Sequence, residues 1–229
     1  MTPSGHNGDD RQTEQGSSKI EDEVRRPHRP ARYADLTAMI DALGVATPIP
    51  GEVAASTAAA VLAAARGHGE RDGALEPLVQ LADTVGIDTL ASLWRSAEPA
   101  SLPGALWTLY LLRQWCRSAT REVSLLWQSG LPIATADAVV AGVGMHADED
   151  AILELGDAVL VGAFRGDFGV ALERAAGFFR VVAAGRRRLV DEGTAMAEPD
   201  HEQQFAGRND VVASSLAQAA ARWRAGTLS

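Results

Sequence analysis

An all-α fold is what this sequence predicts: an orthogonal or bundle-like domain of about eight or nine helices behind a disordered N-terminal tail. Three observations lead there. Hydrophobic residues fill 46% of the 229 positions but aromatics only 5%, and alanine is the commonest residue. Alanine gives up no side-chain entropy in a helix and packs poorly on a pleated surface. From Tyr33 onward the apolar residues recur at helical spacing, and the links between the periodic segments are mostly short, as in helix-on-helix domains.

Residues 1–32 are too polar to bury and carry no period, so they read as a tail. Their charge is organised. Six acids lie between Asp9 and Glu23, whereas Arg25, Arg26, Arg29 and Arg32 stand together without an acid, kept extended by Pro27 and Pro30. The core domain is expected over 33–192. Tyr33, Leu36, Met39, Ile40 and Leu43 mark a short amphipathic helix, and a Thr47–Gly51 loop leads to an alanine-rich helix, Glu52–Arg66, stopped by Gly67-His68-Gly69. Leu75–Val85 and Asp88–Ser96 read as two more helices. Ser101 as N-cap and Pro103 in the first turn open the strongest element, running to about Gln128. With Trp94 just upstream, it brings Trp107, Trp115 and Trp127 together as the expected centre of the core. Thr135 starts a short helix to about Ala141, and Asp148–Phe164 and Asp167–Val190 form a pair joined at Arg165-Gly166. Residues 193–229 complete the chain as a polar linker, irregular to about 207, and a last helix, Asp210–Arg224, capped by Asn209 and packed on the core or on a partner.

Composition excludes several classes. A formal charge of −9 is incompatible with a surface that is one nucleic-acid footprint. A single cysteine, Cys116, rules out a disulfide framework and a multi-cysteine metal site. No stretch offers the roughly 20 apolar residues of a membrane span, nor does the N-terminus carry a secretory hydrophobic region. These features predict a cytoplasmic protein with no membrane association and a reduced, buried thiol. One lysine against 20 arginines, with the alanine load, is the coding signature of a GC-rich bacterial genome.

Five patterns invite a chemical reading. Glu122–Trp127, the turn Ser129-Gly130-Leu131-Pro132 and Ala134–Val140 have helix-turn-helix proportions, and the turn resembles that of bacterial repressor reading heads. The second helix holds no Arg, Lys, Asn or Gln to reach a base edge, so an ordinary helical corner is expected. Arg113, Arg117 and Arg121 stand at i, i+4 and i+8 on one face, and Asp150, Glu154 and Asp157 form an acidic stripe on a later helix. These stripes either grip a partner or neutralise each other inside the fold. His146 with Asp148, Glu149 and Asp150 is dense in ligand types, but no Glu-x-x-His accompanies it, and acids at a helix start suit the macrodipole without a metal. Asp148–Asp150 and Asn209-Asp210 also resemble the two magnesium motifs of terpene cyclases, though the aromatic lining of such sites is missing and Asn209 as a helix cap explains the second more simply. Finally, Arg186, Arg187 and Arg188 could join Arg25, Arg26, Arg29 and Arg32 as a polyanion-binding surface if both lie on one face.

No nucleophile elbow, phosphate loop or dinucleotide fingerprint is present, so no catalytic, metal or cofactor residues are assigned. The expected function is a non-catalytic adaptor or regulator that binds another protein or itself, for example through Val211–Trp223. The alternative is a nucleic-acid-associated regulator using the basic arm and Arg186–Arg188. A third is a small-ligand-binding or enzymatic protein with a pocket near the tryptophans.

Overall fold

A computed structural model describes residues 51–67, 93–142 and 148–229. All of its ordered elements are helical, and no strand occurs among the described residues. In chain order they are α1 (Gly51–Gly67), α2 (Leu102–Ser118), α3 (Thr120–Gly130), α4 (Thr135–Ala141), α5 (Glu149–Arg165), α6 (Phe168–Asp191) and α7 (Pro199–Arg224). The tail, the helices predicted at Tyr33–Leu43 and Leu75–Val85, most of the one at Asp88–Ser96, and His146 lie outside the described residues. The described segments belong to one unit, Arg32–Ser229.

Local chemistry sets most helix starts. The Ser101 hydroxyl accepts from Gly104 N–H at 3.3 Å, with Pro103 in the first turn of α2. Asp148 accepts from Ala151 N–H at 2.9 Å to open α5. Asp167 takes the N–H groups of Gly169 and Val170 at 2.7 and 3.3 Å to open α6. Each side-chain oxygen satisfies donors that a helix start leaves without an intrahelical acceptor.

The centre of the fold is α6, packed against α7, α3, α4 and α5. Small residues let the helices close in: a Cβ on Gly130 would collide with the Val181 carbonyl, and one on Gly185 with that of Leu126. Into this framework go Trp115 and Trp127, both fully buried; Trp127 stacks on Phe178 at 5.7 Å and Trp115 on Phe179 at 6.3 Å. Trp94 and Trp107 are buried too, so the tryptophan cluster is core. At the far end Phe168 meets Trp223 edge to face at 5.1 Å, and Arg66 of α1 lies 4.8 Å over the same indole.

Two predicted elements come out differently. The helix expected from Ser101 to Gln128 breaks at Ala119, whose φ and ψ are −133° and 38°. On either side the Ser118 and Thr120 hydroxyls turn back to the carbonyls of Trp115 and Arg117, offering the backbone an alternative to the helical ladder. The last helix starts at Pro199 rather than Asp210, and Asn209 is a buried residue within it rather than its cap. Residues 192–198 are irregular, as the sequence suggests, but from Pro199 the polar stretch is helical, with part of its inward face paired rather than apolar. Its first buried residue, Glu202, meets Arg186 of α6.

Candidate functional site

The two charged stripes meet in part. Arg113 donates from Nε to the Asp157 carboxylate at 2.7 Å, and Arg117 approaches the same oxygen at 3.5 Å, joining α2 to α5. Arg121, one turn further along, is carried away by the break at Ala119. It takes no ion pair among the described residues, nor do the exposed Asp150 and Glu154. One carboxylate thus meets two of the three arginines, Arg113 buried and Arg117 half exposed.

Arg186, Arg187 and Arg188 do not form a common cationic face. Successive residues on a helix point about 100° apart, and the three go to three places. Arg186 is fully buried, with Nη1 on Glu202 at 2.6 Å and Nη2 3.9 Å from Glu122. Arg187 pairs with Asp210 of α7, and Arg188 with Glu192 at 2.6 Å. An anion in solvent meets two arginines already facing carboxylates and does not reach the third. The rest of the predicted polyanion surface, Arg25, Arg26, Arg29 and Arg32, lies outside the described residues.

Cys116 sits on the buried face of α2, and burial pushes its thiol well above the ordinary value, with the Asp157 charge adding to the effect. The proton is held and the nucleophilic thiolate is suppressed. Among the described residues no group of three or more His, Cys, Asp or Glu converges on a metal position, and no helix is long and apolar enough to cross a membrane. Asp148 is spent on capping α5, a role beyond the macrodipole effect that the sequence suggests.

A groove of about 660 Å³ opens where α2 breaks from α3, lined by Arg121, Glu122, Ser124, Gln128, Glu149 and Met196 among others. It is not beneath the tryptophans, where the ligand-binding alternative would place a pocket. Its lining is mixed in sign, and Glu122 is turned toward Arg186.

The feature the sequence did not disclose is the exposed side of α4. The corner that carries it is closed by Ile133 and Ala134 N–H groups donating to the Gly130 carbonyl at 3.0 Å. Ala138 and Ala141 face α6 and are buried, while Arg174 of α6 donates from Nε to the Ala141 carbonyl at 3.0 Å, and Arg180 pairs with Asp137 at 3.2 Å. A cation at a helix C-terminus satisfies carbonyls that have no acceptor role inside the helix. The opposite side is apolar and open: Ile133 is 62% exposed, Val139 75% and Val140 48%, with Ala136 between them. Seven residues, five of them apolar, are too short a run for periodicity to say which side faces the core. It has the place of a recognition helix but no group able to read a base. Compared with protein-family models, curated proteins and solved structures, the chain gives no match.

Proposed function

We propose that this is a non-catalytic, cytoplasmic helical protein with an adaptor or regulatory role, acting by binding protein through the exposed face of α4. In this reading its scaffold is an orthogonal or bundle-like domain of about eight or nine helices. One observation carries the proposal. Ala136, Val139 and Val140 are exposed on a helix whose other side is fixed to the core, and Ile133 is exposed in the turn that leads into it. Scattered exposed apolar residues are ordinary, but a contiguous patch on a rigid element marks an interaction surface. The neighbouring arginines are spent on α4 itself, so the surface offers shape and apolar area rather than charge.

The test is a photo-crosslinking side chain placed at Val139 in the native host. The control is the same side chain at Val211, which is 65% exposed on α7. The expected outcome is a discrete protein adduct at 139 that the control does not give. Equal labelling at both positions, or none at either, would remove the reading.

A further inference from the structure

We infer that the first two turns of α7, Pro199–Ala206, form a strap that opens about Gly207 while the rest of the helix stays docked, and that its opening uncovers the buried guanidinium of Arg186. The two halves of α7 are held in different ways. From Ala213 onward the inward stripe is apolar, with Ala213, Leu216, Ala219 and Ala220 buried. Trp223 meets Phe168 edge to face, and Arg222 and Arg224 reach Glu98 and Glu173. Ahead of Gly207 only Glu202 and Ala206 are buried, and Glu202 is held there by its bond to Arg186.

Apolar burial is lost outright when a helix lifts, because water offers the exposed surface nothing in return. A buried ion pair regains hydration on both partners, so it resists opening far less than its short distance suggests. Ala206 adds a single methyl group. Phe205 is half-buried, its ring 5.2 Å from the guanidinium carbon of Arg186. The helix start adds little, since Glu198 precedes it without a side-chain cap and Pro199, Asp200 and His201 are exposed.

Two observations place the hinge. Gly207 stands in the interior of a 26-residue helix, where glycine is the least favourable residue after proline. Packing does not ask for it: a Cβ there would meet nothing within 4 Å among the described residues, unlike one at Gly130 or Gly185. Two residues on, Asn209 is buried while its amide nitrogen has no hydrogen-bond partner among the described residues. A buried donor left unsatisfied weakens the closed form, and water reaches it when the adjoining turns lift. Opening takes the Glu202 carboxylate and the Phe205 ring away from Arg186 and leaves the guanidinium beside Glu122. Closed, the strap keeps that cation from solvent; open, it presents the cation at the surface.

Amide hydrogen exchange of the full chain, in urea below the unfolding transition, tests the strap. The amides of 203–206 should exchange at least about tenfold faster than those of 213–220, with a shallower urea dependence because little surface is exposed. Gly207→Ala should slow the 203–206 amides about fivefold, the difference in helix propensity between the two residues. Leu216→Ala, which loosens the docked half, should speed exchange at 213–220 and leave 203–206 unchanged. Phenylglyoxal, which modifies accessible arginines, should label Arg186 in the native protein at a rate equally indifferent to Leu216→Ala.

Exchange at 203–206 that shares its rate and urea dependence with 213–220 overturns the strap, as does a parallel rise of both in Leu216→Ala. If that variant does not fold, the urea dependence of the wild type decides alone. Unchanged 203–206 amides in Gly207→Ala overturn the hinge. Labelling of Arg186 only where the whole protein unfolds overturns the uncovering of the cation.

Discussion

Arg186 shows how much a single residue's surroundings matter. In sequence it is the first of three identical cations at the end of a long helix. In the fold it is fully buried, its guanidinium 2.6 Å from Glu202 and 5.2 Å over the ring of Phe205. Removing one partner of a buried pair strands the other's charge in a medium that solvates it poorly. Glu202→Gln should therefore destabilise the protein by roughly 3 kcal/mol, partly offset by Glu122. The double variant Arg186→Met, Glu202→Leu should recover most of that loss, since no charge is left buried. Urea midpoints of the single and double variants decide it. A single variant as stable as the wild type would mean that the pair contributes nothing. Arg187 and Arg188, half exposed beside their carboxylates, should each contribute well under about 1 kcal/mol.

At the scale of elements, α7 is the most instructive helix. Its buried residues Glu202, Ala206, Asn209, Ala213, Leu216 and Ala220 run at alternating spacings of four and three, a continuous inward stripe. A search for apolar periodicity finds only the second half, because Glu and Asn occupy two of the first three positions. The far end of α7 is tied to α6 by Arg224, whose guanidinium bonds Glu173 at 2.5 and 2.6 Å. The bond to Arg224 holds the Glu173 carboxyl below the usual 4.5 despite some desolvation. A folded-state value below the unfolded one means stability present above about pH 4.5 and lost as pH falls through the folded value. Glu173→Gln should thus lower stability slightly at pH 7 and make no difference in strong acid. A wild-type and variant pair whose urea midpoints differ equally at pH 7 and pH 2.5 would contradict this origin. The pair is half exposed, so the effect is small.

Across the whole molecule, low aromatic content is compensated by placement. Trp115, Trp127, Phe178 and Phe179 gather at the crossing of α2, α3 and α6, and alanines and glycines let the surrounding helices approach. Cys116 lies in this same core, fully buried and protonated. Its alkylation by iodoacetamide should require opening of the core rather than a local fluctuation. The labelling rate should rise with urea in step with the unfolding transition. Rapid labelling of the native protein would show that α2 opens separately from the rest.

The sequence by itself determined the helical class, the cap at Ser101, the helix starts at Asp148 and Asp167 and the short helix at Thr135–Ala141. All of these rest on interactions between residues a few positions apart, or on apolar periodicity, which one chain segment carries whole. Tertiary structure decided the early start of α7, the separation of three adjacent arginines and the open face of α4. In each of these the outcome depends on what a segment meets: Glu202 is buried because Arg186 is opposite, and Val139 is exposed because α6 covers only the other side of its helix. Burial is a property of pairs of surfaces, and one strand of sequence contains only half of each pair.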